Sequence, residues 1–317
     1  MELRKDYVLD RWVIISSRRS RRPHQYHSGI KVDADAVCDF CPGNEHLTPD
    51  EIGRLPKKDS PKEWDMRWFA NKFAAVDYSD EAHATHPKTD NEFFTFASAY
   101  GSHEIIVETP DHEKKMHDFS VGRIVNLLKV YGARINALEQ HDWVRYVNVF
   151  KNEGEDAATS LIHSHSQLIS LNHIPKTVRN MVEANKDHCN YCDIWKIEKD
   201  SFRRCFEDEH SVAFTPYASR FNYELWLFPK QHRKRIEEFS EAELESFAAT
   251  LKQALTRLKE VTKSFNLAVY YAPAGSDLHF HIQILPRIAK YGGFEFLGGT
   301  IINSVAPEDA AKFYRDE

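Results

Sequence analysis

The sequence predicts an α+β fold made by tandem duplication of one unit, with antiparallel sheets, packed helices and a zinc knuckle in each half. Three observations carry this. The segment Leu161-Ile162-His163-Ser164-His165-Ser166-Gln167-Leu168-Ile169 returns as Leu278-His279-Phe280-His281-Ile282-Gln283-Ile284-Leu285, with His, His and Gln in the same order. Two C-x-x-C pairs, Cys38/Cys41 and Cys189/Cys192, precede these rows, one in each half. In both halves a Phe-Ser pair opens a helical pattern, its Ser eight residues after a histidine: His112 to Ser120, and His232 to Ser240. A repeat of more than a hundred residues is too long for a solenoid. It divides the chain into residues 1–175 and 176–317, which meet near residues 170 to 188, where Asn172, Pro175 and Lys176 break the strand pattern.

The elements follow in order. Trp12-Val13-Ile14-Ile15 reads as a strand that runs into the basic cluster Ser17-Arg18-Arg19-Ser20-Arg21-Arg22-Pro23. By composition that cluster is a solvated loop; its sharper reading is a phosphate clamp, since guanidinium forks match phosphoryl oxygens in bidentate pairs. Cys38 to Glu45 forms a knuckle-like turn, and a polar, Pro-containing stretch runs from Thr48 to Glu63. A strand and turn follow at Met66 to Phe73, then a surface loop from Asp77 to Asn91. His103 to Thr109 alternates as a strand. Val121, Ile124, Leu128, Tyr131, Ile135 and Leu138 recur at spacings of three and four, which marks a helix with one buried face. Trp143 to Phe150 reads as a strand, with a turn at Asn152-Glu153-Gly154 before the first row.

The second half repeats the order: a strand at Tyr223 to Phe228, a helix opened by Ser240 with a capping box to Glu243, and an apolar face through Leu244, Phe247, Leu251, Leu255 and Leu258. A strand at Leu267 to Tyr271 and a turn at Pro273-Ala274-Gly275 complete it.

Composition narrows the function classes. The chain has 317 residues, 42% of them apolar, and no run long enough to span a membrane. Its N-terminus lacks the apolar core of a signal peptide, so a cytoplasmic protein is expected. A formal charge of -6 gives no overall pull toward nucleic acid. Four of five cysteines lie in C-x-x-C pairs, which in a reducing compartment point to metal or redox chemistry before disulfides.

Zinc takes four N or S ligands in a tetrahedron, and a C-x-x-C turn supplies two thiolates at once. The repeat then assigns Cys38, Cys41, His112 and His163 to one site, and Cys189, Cys192, His232 and His279 to a second, for two zinc ions per chain. Closed sites of this kind hold the fold and do no chemistry. A disulfide reading leaves the repeated histidines unexplained, and the remaining rival joins the four paired cysteines in one all-thiolate ribbon.

On a strand, the period of two puts His163, His165 and Gln167 on one face. A lone buried histidine on a strand is more often a hydrogen-bonded core residue than a catalyst; the duplication reverses that weight. With His163 spent on metal, His165 is the nucleophile: a neutral imidazole attacks phosphorus when one nitrogen is held protonated and the other presents its lone pair. Gln167 donates its amide N–H to a phosphoryl oxygen. Histidine-triad hydrolases, which the pattern resembles, carry another His at that place. A glutamine delivers no proton, which suits a sugar phosphate leaving as an anion and favours transfer over hydrolysis. Gly154 and the small residues Ala157, Ala158, Thr159 and Ser160 let donors approach a phosphate before the first row. The second row, with Phe280 and Ile282, reads as a copy kept for structure.

Beyond the rows, Arg4-Lys5-Asp6 with Arg11-Trp12-Val13-Ile14, Cys41-Pro42-Gly43-Asn44-Glu45, Asn71-Lys72-Phe73, His103 to His112, Ala218-Ser219-Arg220-Phe221, and Gly293-Phe294-Glu295 extend a pattern over nearly the whole chain. This pattern resembles the galactose-1-phosphate uridylyltransferase family, the two-repeat branch of the histidine-triad-related superfamily. The resemblance implies a histidine-triad-like unit in each half and a nucleotidyltransferase that works by ping-pong exchange through a covalent nucleotidyl group on His165. Its partners would be a sugar nucleotide, UDP-glucose or UDP-galactose, and a hexose 1-phosphate. It implies that Gln167 and Ser160 hold the phosphates, that Arg19 and Arg22 contact phosphate, and that Asn71 and Asn152 lie by the nucleotide. It also implies a homodimer in which Phe294 and Glu295 serve the other subunit.

Ser164 and Ser166 stand where family enzymes often carry Pro and Gly. A related branch, the ADP-glucose phosphorylases, resembles this His-Ser-His-Ser-Gln form, and Lys72 stands where some uridylyltransferases have Asp. Base and acceptor therefore stay open between a uridylyl group passed to hexose 1-phosphate and an adenylyl group passed to phosphate. A third class, a zinc-ribbon module binding nucleic acid through Arg18 to Arg22, lacks the basic, aromatic-interleaved stripe such binding uses.

Overall fold

The computed structural model describes residues 2–5, 12–15, 37–77, 88–89 and 93–317. The basic cluster with Arg19 and Arg22 lies outside them. Two compact units emerge, and they do not follow the chain end to end: one holds residues 1–112, 135–149 and 163–174, the other 113–134, 150–162 and 175–317.

The first unit carries two antiparallel sheets. In the smaller, β1 (Glu2–Lys5) pairs with β2 (Trp12–Ile15), and β6 (Thr95–Ser98) pairs with both β1 and β5 (Lys88–Thr89). Val76, Ala97 and Ala99 form its buried cluster, with Ile14, Ile169 and Leu171 against it. In the larger, β3 (Glu51–Lys57), β4 (Ser60–Ala70), β7 (His103–Val107) and β9 (His165–Leu171) pair in that order. The polar stretch from Thr48 to Glu63 thus holds β3 and the start of β4. Pro56 and alternating charges masked that strand, and they are tolerated because β3 pairs on one side only among the described residues.

Register places the chemistry. Val107 lies opposite His165, Ile105 opposite Gln167 and His103 opposite Ile169, so all six side chains share one face. The predicted strand is shorter at its start than the pattern implied: β9 begins at His165, and His163 stands two residues before it.

In the second unit, β10 (Arg204–Glu207), β11 (Ser211–Phe214), β12 (Leu225–Pro229), β14 (His281–Pro286) and β13 (Phe265–Tyr270) form an antiparallel sheet in that order. Here too the strand starts at the second histidine of the row. Helix α4 (Glu241–Leu258) packs on β11 and β12, burying Leu244, Phe247, Leu251, Leu255 and Leu258 as predicted. Its start is the expected capping box: Glu243 N–H donates to Ser240 Oγ (3.2 Å), and Ser240 N–H donates to the Glu243 carboxylate (2.7 Å). Phe280, between the two histidines, turns the opposite way and packs against Phe239 and Phe247 beneath the sheet.

The remaining elements are α1 (Val121–Glu139), β8 (Tyr146–Glu153), α2 (Lys176–Ala184), α3 (Asn190–Glu198), α5 (Gly293–Gly298) and α6 (Pro307–Arg315). The pattern break at residues 170 to 188 leads into α2, and the second C-x-x-C sits on the first turn of α3, with Cys189 as its N-cap. Gly154 is required by its backbone: it has φ of 82° and a Cβ there would run into Ser264. No helix among the described residues is long and apolar enough to cross a membrane.

Candidate active site and metal centres

Each C-x-x-C converges on two histidines of its own unit. Cys38, Cys41, His112 and His163 bring one ligand atom each within 4.8 Å of one another, and so do Cys189, Cys192, His232 and His279. In the first cluster Sγ to Nδ1 separations are 3.4 to 3.6 Å, in the second 3.2 to 3.4 Å. Tetrahedral ligands at Zn–S of about 2.3 Å and Zn–N of about 2.0 Å would be about 3.5 Å apart. The spacing fits a metal without rearrangement.

The outer nitrogens fit it as well. His163 Nε2 donates to Thr109 O at 2.7 Å and His279 Nε2 to Pro229 O at 3.0 Å, which leaves each Nδ1 lone pair facing the thiols. His232 Nε2 donates to the Asp277 carboxylate at 2.8 Å, the outer-shell arrangement that orients a metal-bound imidazole. Burial, then neighbouring His232, pushes His279 down to about 3, so it is neutral and ready to ligate. None of the five cysteines is in a disulfide. The four paired ones stand in two separate Cys, Cys, His, His groups and not in one shared all-thiolate set. An ion bound here would tie the knuckle to the sheet and neutralise the thiolates.

Between the cysteines stands an aromatic residue, Phe40 in one knuckle and Tyr191 in the other. Phe40 meets His165 edge to face with ring centroids 5.3 Å apart, and Tyr191 lies 4.9 Å from His281. In each unit the knuckle thus presses a ring against the second histidine of the row. Buried Arg67 braces the first knuckle by donating to Asp39 O (3.3 Å) and Thr48 Oγ1 (3.1 Å) while lying 4.7 Å over Phe69.

His165, 3% exposed, donates from Nδ1 to His163 O at 2.8 Å, so its lone pair is on Nε2. Gln167 presents its Oε1 to His103 Nε2 at 3.0 Å, and the Asn71 amide nitrogen lies 3.2 Å from the same ring atom. His103 Nε2 therefore lies between the Gln167 carbonyl and the Asn71 amide nitrogen. On the reverse face of β9, the buried Glu108 carboxylate accepts from both Ser164 Oγ (2.6 Å) and Ser166 Oγ. The roles of His103 and Glu108 were not legible from the pattern. The alternating segment that carries them is visible in sequence, but the register that sets His103 against Gln167, and Glu108 behind Ser166, is not.

The second row is built differently. His281 donates from Nδ1 to His279 O (2.9 Å), but its Nε2 accepts from Gln283 Nε2 (3.3 Å), and Arg220 holds Gln283 Oε1 (3.0 Å). Tyr191, Trp226, Phe228 and Tyr270 surround the ring, which is fully buried. Burial pushes it down to about 4, so it stays neutral and its lone pair is engaged.

Other sequence-predicted residues have local settings only. Ser160 is buried; Asn152 accepts from Asn266 Nδ2 at 2.8 Å through its Oδ1. Both lie in the second unit. Phe294 on α5 is 57% exposed, and Glu295 accepts from Gly292 N–H at 2.9 Å.

Comparisons with known proteins agree with this geometry. The family described as galactose-1-phosphate uridyl transferase, N-terminal domain, matches residues 1–175. An ADP-glucose phosphorylase of Arabidopsis thaliana is 31% identical, covering 99% of this chain and 92% of the relative. A galactose-1-phosphate uridylyltransferase of Thermotoga maritima is 27% identical, covering 100% and 98%. The crystal structure of an ADP-glucose phosphorylase from Arabidopsis thaliana with bound ADP-glucose superposes with a TM-score of 0.78 at 30% identity, covering 100% of this chain and 99% of that one. The chain belongs to the galactose-1-phosphate uridylyltransferase family, and with it to the nucleotidyltransferase class of enzymes.

Proposed function

We propose that this chain is a hexose-1-phosphate uridylyltransferase that exchanges a nucleotidyl group between a sugar nucleotide, UDP-glucose or UDP-galactose, and a hexose 1-phosphate through a covalent intermediate on His165. The observation that carries it is the tautomer: Nδ1–H is tied to His163 O, so the Nε2 lone pair is the nucleophile. Nε2 attacks the α-phosphorus, a nitrogen–phosphorus bond forms, and the bond to the bridging oxygen breaks. The sugar 1-phosphate leaves as an anion and needs no proton. The ring then carries Nδ1–H and a phosphorylated Nε2, and the His163 carbonyl steadies its positive charge. The Gln167 amide N–H donates to the phosphoryl oxygen. An acceptor phosphate oxygen then attacks phosphorus and restores the imidazole.

Ser160, Asn71, Asn152, Arg19 and Arg22 are assigned to phosphate and nucleotide contacts, and Phe294 and Glu295 to the partner's site in a homodimer. Two structural zinc ions, a cytoplasmic location, no nucleic-acid partner, and a repeat boundary between residues 175 and 176 complete the reading. The donor sets and the matched order of Cys, Cys, His and His support the zinc assignment.

A second reading passes AMP from ADP-glucose to phosphate. It is favoured by the 31% identity to an ADP-glucose phosphorylase and by the paired serines around His165.

The test is incubation with UDP-glucose, UDP-galactose and ADP-glucose, each labelled in the α-phosphate, without acceptor. Label should stay on protein through alkali and be lost in mild acid, as a phosphorus–imidazole bond requires, and the donor that labels identifies the base. Hexose 1-phosphate or phosphate should then discharge it. His165→Ala should take no label and His281→Ala should still be labelled. Label on His165→Ala protein, or none on wild type with any donor, would overturn the mechanism.

A further inference from the structure

We propose that His103 is a positioning residue for nucleotidyl transfer: it locks the amide of Gln167 so that the N–H groups, not the carbonyl, face the reacting phosphoryl group. The proposal rests on the reading of His165 and Gln167 given above. A backbone amide can only donate. Ala75 N–H donates to His103 Nδ1 at 3.1 Å, so Nδ1 is the bare nitrogen and the ring proton is on Nε2. Nε2–H then requires an acceptor. The Gln167 amide terminus lies 3.0 Å away, so the atom there is Oε1.

Asn71 cannot take that place. Its Oδ1 already accepts from Phe73 N–H at 2.8 Å, and the atom it presents to Nε2 is its amide nitrogen, a donor. With Oε1 committed, the Gln167 amide nitrogen must point the other way, and no described residue accepts from it.

An unlocked glutamine has two faces of opposite sign. A 180° flip would aim a carbonyl oxygen at the phosphoryl oxygens, replacing attraction by repulsion. The second row shows the alternative use of the same amide. There Arg220 holds Gln283 Oε1, and the amide nitrogen falls on His281 Nε2, engaging the lone pair of the would-be nucleophile. Two glutamines at matched positions differ in the element that holds the carbonyl: β7 in the first unit, the turn before β12 in the second. That choice decides whether the N–H group serves a substrate or silences a histidine.

Single-turnover labelling of wild type, His103→Phe, His103→Gln, Gln167→Ala and the His103→Phe, Gln167→Ala double variant tests this. Phe keeps ring volume and removes the donor; Gln restores an amide donor at a similar reach. His103→Phe should slow label transfer to protein by about 10²-fold, the range seen when a charge-stabilising donor is lost, with donor affinity changed far less. His103→Gln should recover at least about tenfold of that loss. In the Gln167→Ala background, His103→Phe should slow transfer by no more than about twofold, because the group it positions is gone. Equal slowing by His103→Phe with and without Gln167, or equal loss in His103→Gln and His103→Phe, would overturn the proposal while leaving covalent transfer intact. Wild type that takes no label from any donor would remove both together.

Discussion

Glu108 and the two serines flanking the nucleophile show how a residue on one face of a strand serves the other. The carboxylate is fully buried and takes both hydroxyls, so the backbone on either side of His165 is held from behind. Removing it takes the carboxylate acceptor away from two buried hydroxyls. Glu108→Ala should lower stability by about 2–4 kcal/mol, at about 1–3 kcal/mol per orphaned group with partial relaxation. Chemical denaturation measures this; a loss below about 0.5 kcal/mol, the range of an ordinary surface change, would show that the serines re-pair at no cost. The same paired serines, in sequence, mark only a departure from a Pro and Gly pattern. The partner that explains them lies more than fifty positions earlier.

At the scale of elements, the start of α4 is where local sequence and structure agree most closely. Ser240 and Glu243 were readable as a capping box because both partners lie within one turn. Ser240→Ala should cost about 1 kcal/mol, read as a drop in unfolding free energy. Glu243 adds a pH dependence. Its burial raises the carboxyl, but the Ser240 N–H and the Arg233 guanidinium outweigh this and hold it below the usual glutamate range. A depressed carboxyl contributes stability that is present above the unfolded value of 4.5 and is lost as pH falls through the folded value. Glu243→Gln should therefore be less stable than wild type at pH 7, and the gap should close as pH falls from 4.5 through the lower folded value. A gap that stays constant with pH would assign Glu243 a packing role only. The strands were less legible than this helix: β3 was hidden by Pro56, and both histidine-row strands begin two residues later than alternation implied.

Over the whole molecule, two Cys, Cys, His, His knuckles of the same build carry different consequences. Each sets an aromatic ring against the second histidine of its row, but only Phe40 lies against the proposed nucleophile. Purified protein should hold two zinc ions per chain. Cys189→Ser should lose about one ion and destabilise its own unit, because ligand binding is coupled to folding, yet still take label at His165. Cys38→Ser should lose the other ion and also slow labelling by about 10- to 100-fold, since a shift of about 1 Å in a reacting group costs that much. Metal analysis with single-turnover labelling separates the two. Equal slowing in both variants would mean that the second knuckle, too, governs the catalytic row.

What the sequence determined by itself was the chemistry available: two rows of His, His and Gln, two thiol pairs, and the duplication that binds them into matched sets. Those signals are short-range, since a strand alternates every two residues and a knuckle closes within four. Tertiary structure alone decided how the two rows came to differ. His103 reaches Gln167 and Arg220 reaches Gln283 only through strand register and turn placement across 64 and 63 positions of chain. Hydrogen-bond direction at a glutamine depends on which donor arrives at its carbonyl, and no local pattern records that.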